Sequence, residues 1–262
     1  MTEYSSYDRG VPCWIDLTTS DPEGARNFFA GLFGWQFEID PDPQTGHYTQ
    51  AYVNGKRVAG LGGDPAPDGQ PSAWTTYLAS DDVDADAKLM VDAGAGLLME
   101  PLTVGDAGRM LLAVDPTGGA VGLWQGGSHK GSELANVPGS FTWNELATRD
   151  AAKAREFYAA VFGYTYGDMS SEGFEYHVME VKGRAVAGIM GMGADIPPEV
   201  PPHWLTYFAV DNTDSAVAKV RDLGGQVIHG PSDSPYGRVA GVTDPQGAAF
   251  SVMQLPEDQP PQ

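Results

Sequence analysis

One helix is written twice in this chain, and the distance between the copies constrains everything else. Residues Ser20–Trp35 read SDPEGARNFFAGLFGW, and residues Arg149–Tyr164 read RDAAKAREFYAAVFGY. Ala25, Phe28, Phe29, Leu32 and Phe33 recur at the spacing of an amphipathic helix, and Ala154, Phe157, Tyr158, Val161 and Phe162 repeat the stripe. Asp21 and Asp150 stand where an N-cap oxygen holds first-turn N–H groups, and Pro22 suits the first helical position. Gly34 and Gly163 stand where a left-handed residue closes a helix. Caps (150 − 21) and glycines (163 − 34) are both 129 residues apart, as are Trp14 and Trp143, and Asp115-Pro116 and Asp244-Pro245. Gly60 pairs with Gly188 at 128 and Trp74 with Trp204 at 130. Solenoid repeats run at about 20–50 residues, so a period this long means duplicated domains.

The 262-residue length fits two such modules, and 42% hydrophobic residues supply a core for each. A single cysteine, Cys13, allows no internal disulfide and suits a reducing cytoplasm. The polar first residues, MTEYSSYDRG, are unlike a signal peptide, and no apolar run approaches a membrane span. A cytoplasmic protein is therefore expected. With 35 acidic against 15 basic residues the net charge is −20, a field that repels phosphate backbones and anionic lipid, so neither nucleic acid nor membrane is expected as a partner.

Strands are expected at 13–19, 35–39, 48–54 and 57–61 around the first helix, giving a βαβββ unit. The loop GGDPAPDGQPS leads to a second unit, with strands at 74–79, 97–100, 109–114 and 120–125 and a helix capped by Asp82 and closed by Gly94. Module one then covers residues 10–126. The polar, Gly-rich stretch 127–138 reads as a linker, and module two covers 139–255 with the same element order. The tail PEDQPPQ is expected to be disordered.

A strand, then D-x-x-x-A-x-x-F-[FY]-x-x-x-F-G-[WY], then a strand ending in Asp-Pro-x-Gly (Asp115–Gly118 and Asp244–Gly247), resembles the glyoxalase/bleomycin resistance/dioxygenase superfamily, also called vicinal oxygen chelate. Within it, the chain resembles the tandem two-module actinobacterial members variously labelled hydroxylases, glyoxalase-like proteins or a secreted-fraction antigen. The resemblance implies an α+β fold in which each module's two βαβββ units form a curled mixed sheet around a cavity. It also implies a divalent metal held by His, Gln or Glu on the first and fifth strands and Glu on the eighth. In this chain the first-strand positions are Trp14 and Trp143, the fifth-strand positions Thr75 and Leu205, and the last-strand positions Gly122 and Ser251. None is a family ligand. Slipping the register by one residue gives Ile15, Thr76 and Val121, and slipping by two gives one carboxylate per module, Asp16 or Glu145. No cofactor is therefore expected, a divalent metal being the alternative.

Strand alternation decides what shares the face of those positions. Module one shows Trp14, Asp16, Thr18, Thr75, Tyr77, Gly122 and Trp124 there, and module two Trp143, Glu145, Ala147, Leu205, Tyr207, Ser251 and Met253. Ile15, Leu17, Val121, Phe208, Phe250 and Val252, of opposite parity, suit packing under the helices. Each cavity is thus expected to be aromatic-walled, with one carboxylate and one tyrosine, a composition suited to a small flat organic ligand. Arg109 and Arg238 are placed at the mouths, where each could clamp an anionic ligand or form a surface ion pair.

Among the five histidines no pair has ligand spacing, and only His177 and His203 are candidates to line the second cavity. The leading expectation is a metal-independent binder of a small aromatic or anionic molecule, either sequestering it or acting as a lyase or isomerase. In the second case Asp16 or Glu145 would be the base and Tyr77 or Tyr207 the acid. A metal-dependent glyoxalase, dioxygenase or hydroxylase is one alternative, and a non-catalytic interaction scaffold the other. Monomer and homodimer both remain open.

Overall fold

Four times the chain runs strand, helix, three strands. In the computed structural model, which describes residues 2–66 and 70–256, a two-residue strand β1 (Thr2–Glu3) precedes the first unit. That unit is β2 (Pro12–Thr18), α1 (Pro22–Phe33), β3 (Gln36–Ile39), β4 (Thr49–Val53) and β5 (Lys56–Leu61). The second is β6 (Ala73–Ala79), α2 (Val83–Asp92), β7 (Gly96–Val104), β8 (Gly108–Val114) and β9 (Ala120–Gly126). After β10 (Leu134–Ala135) come β11 (Phe141–Thr148), α3 (Ala151–Phe162), β12 (Thr165–Asp168), β13 (Tyr176–Val181) and β14 (Arg184–Gly191). The last unit is β15 (His203–Ala209), α4 (Thr213–Asp222), β16 (Gln226–Ser234), β17 (Gly237–Thr243) and β18 (Ala249–Gln254). The expected tail, apart from Pro256, and part of the expected loop GGDPAPDGQPS (67–69) lie outside the described residues.

The helices begin and end where their caps require. Asp21 Oδ1 accepts from Gly24 N at 2.9 Å and Asp150 Oδ1 from Lys153 N at 3.0 Å, while Gly34 and Gly163 both close their helices at φ 73°. The duplicated Asp-Pro-x-Gly turns are self-capped in the same way. Asp115 Oδ1 accepts from Thr117 N and Gly119 N, and Asp244 Oδ1 from Gln246 N and Ala248 N.

Each module is one eight-stranded mixed sheet, ordered β3-β4-β5-β2-β6-β9-β8-β7 and β12-β13-β14-β11-β15-β18-β17-β16. The first strands of the two units pair antiparallel at the centre, β2 with β6 and β11 with β15, while β2–β5 and β6–β9 pair parallel. On the convex side Ile15, Leu17, Val121, Phe208, Phe250 and Val252 are wholly buried, as their parity demands.

The cores are shared between modules rather than housed one in each. One joins α1 and the first unit to the last unit, with Phe28 and Phe29 against Phe250 and Phe33 against Phe208. The other joins α2 and the second unit to the third, with Val83, Met90 and Leu123 in one cluster with Leu146 and Tyr158. Fully burying a Phe contributes about 1.5–3 kcal/mol, so the two sheets are bound back to back by the same side chains that fold them. At the centre Asn144 Oδ1 accepts from Thr76 Oγ1 at 3.1 Å and Thr206 Oγ1 at 3.0 Å, satisfying three buried polar groups.

The stretch 127–138 is not a solvated tether. His129, Ser132, Leu134 and Ala135 are buried, and β10 pairs with β1. Its glycines and polar residues suggest a linker by composition, but Leu134 and Ala135 enter the first shared core and so anchor it.

Candidate functional site

Alternation along β2 and β11 turns Trp14, Asp16, Trp143 and Glu145 to the concave faces, and register then lines up their neighbours. Trp14 stands opposite Tyr77 and Asp16 opposite Thr75, while Tyr77 adjoins Gly122. In module two Trp143 stands opposite Tyr207 and Glu145 opposite Leu205, while Tyr207 adjoins Ser251.

The same constellation forms twice. In module two Glu145 accepts from Tyr207 Oη at 2.7 Å through one oxygen and from Tyr176 Oη at 2.9 Å through the other; Trp143 Nε1 donates to Tyr176 Oη at 2.8 Å. In module one both phenols reach Asp16 Oδ2, Tyr77 at 3.1 Å and Tyr48 at 3.3 Å, and Trp14 Nε1 donates to Tyr48 Oη at 3.0 Å. Tyr48 and Tyr176 are absent from the expected site, which held one tyrosine per cavity. They are 128 residues apart, the offset of Gly60 and Gly188. Each hydroxyl lies against the glycine of its own module, where a Cβ would collide with it, so the glycine makes room for the phenol.

Burial raises the pKa of both carboxylates, and the phenol hydrogen bonds oppose it only in part. Asp16 is pushed up from 3.8 to about 6, and Glu145 moves the same way. Burial and the adjacent carboxylate raise the four tyrosines well above their ordinary range, which keeps them protonated as donors.

The cavities differ in what covers them. In module one the imidazole of His129, from the linker, packs edge-on to Trp14 with ring centres 4.4 Å apart and lies 5.4 Å from Trp124. Trp124 Nε1 donates to His129 O at 2.8 Å, and Trp14 is left 3% exposed. In module two Trp143 remains half-buried on the wall of a groove of about 710 Å³, shared with Tyr7, Asn136, Arg184 and Ala185. A smaller space of about 430 Å³ lies in module one beside Lys56, Arg57 and His129.

Other candidates are placed as follows. Thr75 shares the concave face of module one with Asp16, and Ser251 Oγ is buried beside Tyr207 without a hydrogen-bond partner among the described residues. His203 begins β15 opposite Ala147 at the end of the concave face, its Nδ1 2.9 Å from Pro201 O. His177 does not line the cavity. It follows Tyr176 on β13, so alternation sends it to the opposite face, with Nε2 3.2 Å from Glu175 Oε1.

The two arginines likewise take the surface-pair option rather than the clamp. Arg109 forms a bidentate pair with Asp84 in the first turn of α2, and Arg238 bonds Asp214 in the first turn of α4 and also Asp233. A first-turn carboxylate near the positive end of a helix is a nearby partner for each, which draws the guanidinium away from the mouth. Cys13 is fully buried, and burial pushes its thiol pKa up, consistent with an inert packing residue.

The donors do not fit a divalent metal of the kind the resemblance implies. Among the described residues no three His, Cys, Asp or Glu side chains come together. Each cavity offers one carboxylate, already satisfied by phenols, flanked by Trp and by Thr or Leu.

With this geometry the chain matches the family model of the glyoxalase/bleomycin resistance protein/dioxygenase superfamily over residues 13–123 and again over 140–252. The chain belongs to that superfamily. It is 44% identical over 259 residues to a Mycobacterium tuberculosis protein named "Putative glyoxylase CFP32", covering 97% of this chain and 98% of that one. It is 38% identical over 266 residues to the anthracycline biosynthesis protein DnrV of Streptomyces peucetius, covering 96% and 95%. Superfamily structures share the fold at low identity. The Mn(II)-bound glyoxalase of Novosphingobium aromaticivorans superposes with a TM-score of 0.64 at 16% identity, covering 98% of this chain and 87% of that one. A 2,2',3-trihydroxybiphenyl 1,2-dioxygenase of Sphingomonas wittichii gives 0.63 at 14%, covering 96% and 93%. The tandem modules and their sheets are therefore those of the superfamily. Among the described residues no helix is long and apolar enough to cross a membrane.

Proposed function

We propose that this superfamily member binds a small flat organic molecule in the concave cavity of module two, with Glu145 accepting a proton through Tyr207. The observation that carries this reading is the contrast between the copies. The carboxylate–phenol constellation is present in both, but in module one His129 packs over Trp14, whereas among the described residues Trp143 lies on the wall of a groove of about 710 Å³. When Glu145 is ionised, both phenol protons are committed to it, and Tyr176 Oη already accepts from Trp143. Tyr207 Oη, its own proton committed to Glu145, can still accept, from the adjoining Ser251 hydroxyl or from a ligand donor that takes its place. Transfer of that donor's proton to Tyr207 Oη, as the phenol proton moves to Glu145 Oε1, conserves charge and returns the phenol unchanged. A buried carboxylate of raised pKa is a suitable terminus for such a relay.

This chemistry is of lyase or isomerase type and needs no metal ligand set, and sequestration follows if the bound molecule has no labile bond. The names of the two relatives, one a glyoxylase and one a protein of anthracycline biosynthesis, support a small organic ligand without fixing which. A thermal-shift screen of flat organic molecules tests the reading. Stabilising compounds are expected to lose their effect in Glu145→Gln and Tyr207→Phe and to keep it in Asp16→Asn. Compounds that respond only to Asp16→Asn would overturn it.

A further inference from the structure

Strand register lays one row of residues straight across the concave face of each module. In module two the row is His229 on β16, Gly241 on β17, Ser251 on β18, Tyr207 on β15 and Trp143 on β11. In module one it is Met99, Leu112, Gly122, Tyr77 and Trp14. Leu112 packs against the apolar cluster of Trp14, Tyr77 and Trp124, so that end of the module-one row is hydrophobic. Module two has a histidine and a glycine in place of the neighbours Met99 and Leu112.

The two replacements fit each other. A Cβ on Gly241 would collide with Nε2 and Cδ2 of His229, so the imidazole lies directly over this glycine on the concave side. The same device seats the Tyr176 hydroxyl over Gly188. The other four histidines each have a ring nitrogen 2.9–3.2 Å from a protein partner. The exposed ring of His229 has none among the described residues. An unpartnered imidazole is thus held on the face that carries Tyr207 and Glu145, at the opposite end of the row.

We propose that His229 is the second polar contact of the module-two site, hydrogen-bonding the far end of a flat fused-ring ligand whose hydroxyl meets Tyr207. The proposal rests on the reading of module two as the small-molecule site and gives that site a ligand class. Gly241 and Tyr207 are two strand spacings apart, about 10 Å, which two fused rings with a substituent at each end can span. Tyr207 accepts from a donor at one end. An imidazole donates through at least one nitrogen in either protonation state, so a carbonyl oxygen suits the other end.

The experiment is isothermal titration calorimetry of the full chain at pH 7.5 with 2-acetyl-6-hydroxynaphthalene and, separately, with 2-naphthol, which lacks the carbonyl. Wild type is expected to bind the ketone about tenfold more tightly, the effect of one further hydrogen bond. His229→Leu, its folding checked by melting temperature, is expected to bind the two compounds alike, with 2-naphthol within twofold of wild type. Glu145→Gln is expected to lose both. A ketone advantage absent from wild type, or kept in His229→Leu, would overturn the role of His229 and leave the small-molecule site standing. Binding of neither compound to wild type, or of both undiminished in Glu145→Gln, would overturn both.

Discussion

The two concave faces carry the same four-residue constellation and treat it differently. In module one the shorter Asp16 gathers both phenols onto one oxygen, and His129 packs over Trp14. In module two the longer Glu145 engages one phenol with each oxygen, and Trp143 stays half-buried beside an open groove. A duplicated site has thus diverged by what covers it more than by what it contains. The plug comes from the segment that joins the modules, and its counterpart at the 129-residue offset, residue 258, lies outside the described residues.

The strongest way to break this comparison is to truncate the equivalent tryptophans. Trp14→Ala removes a core residue and is expected to cost about 3–5 kcal/mol in denaturant unfolding while leaving ligand binding within twofold. Trp143→Ala is expected to abolish binding and to cost less stability, because its wall already faces the groove. Binding lost equally in both variants would contradict the difference.

A smaller effect lies in pH. The folded-state pKa of Asp16, about 6, is above its ordinary 3.8, so its favourable contribution is full below 3.8 and is lost as pH rises through 6. The folded-state pKa of His129, about 4, is below its ordinary 6.5, so its contribution is full above 6.5 and is lost as pH falls through 4. The two oppose each other inside module one. Asp16→Asn is expected to gain roughly 1–2 kcal/mol at pH 7 relative to pH 4, after allowance for its partial exposure. His129→Gln is expected to remove the loss on the acid side. Melting curves across pH 4–7 that are parallel for wild type and both variants would contradict the assigned environments.

The smallest effect concerns the shared cores. Tyr158 Oη donates to Asp115 Oδ2 at 3.0 Å and accepts from Trp204 Nε1 at 3.1 Å, joining the modules in one core. The other core has Phe29 at the equivalent place and leaves Trp74 Nε1 and Asp244 Oδ2 buried without partners among the described residues. Phe29→Tyr is expected to supply the missing hydroxyl and stabilise the chain by about 1 kcal/mol. A loss of stability in thermal unfolding would show that the two cores are not equivalent.

Much of the fold was legible because its signals are local. Helical spacing located α1 and α3, an Asp and a Gly set their ends, and strand parity separated Trp14 and Asp16 from Ile15 and Leu17. The carboxylate and one tyrosine of each site followed from the same parity. Tyr48 and Tyr176 did not, because each lies just ahead of or at the start of an outer strand and reaches the carboxylate across the intervening strand, over 32 and 31 residues of sequence. Their 128-residue offset was the available signal. The plug was hidden by composition: a Gly-rich polar stretch reads as a tether, while the burial of His129 depends on Arg57, 72 residues earlier, and on Trp14. Nor does sequence show which helix covers which sheet, so the sharing of the cores between modules emerged only from packing.

The most direct test counts bound ligands by native mass spectrometry, using the most stabilising compound from the thermal-shift screen on wild type, His129→Gly and Glu145→Gln. The account expects one equivalent in wild type, two in His129→Gly once module one is unplugged, and none in Glu145→Gln. Two equivalents in wild type, or one that persists in Glu145→Gln, would contradict the claim that module two is the open copy of the site and module one the self-occupied one.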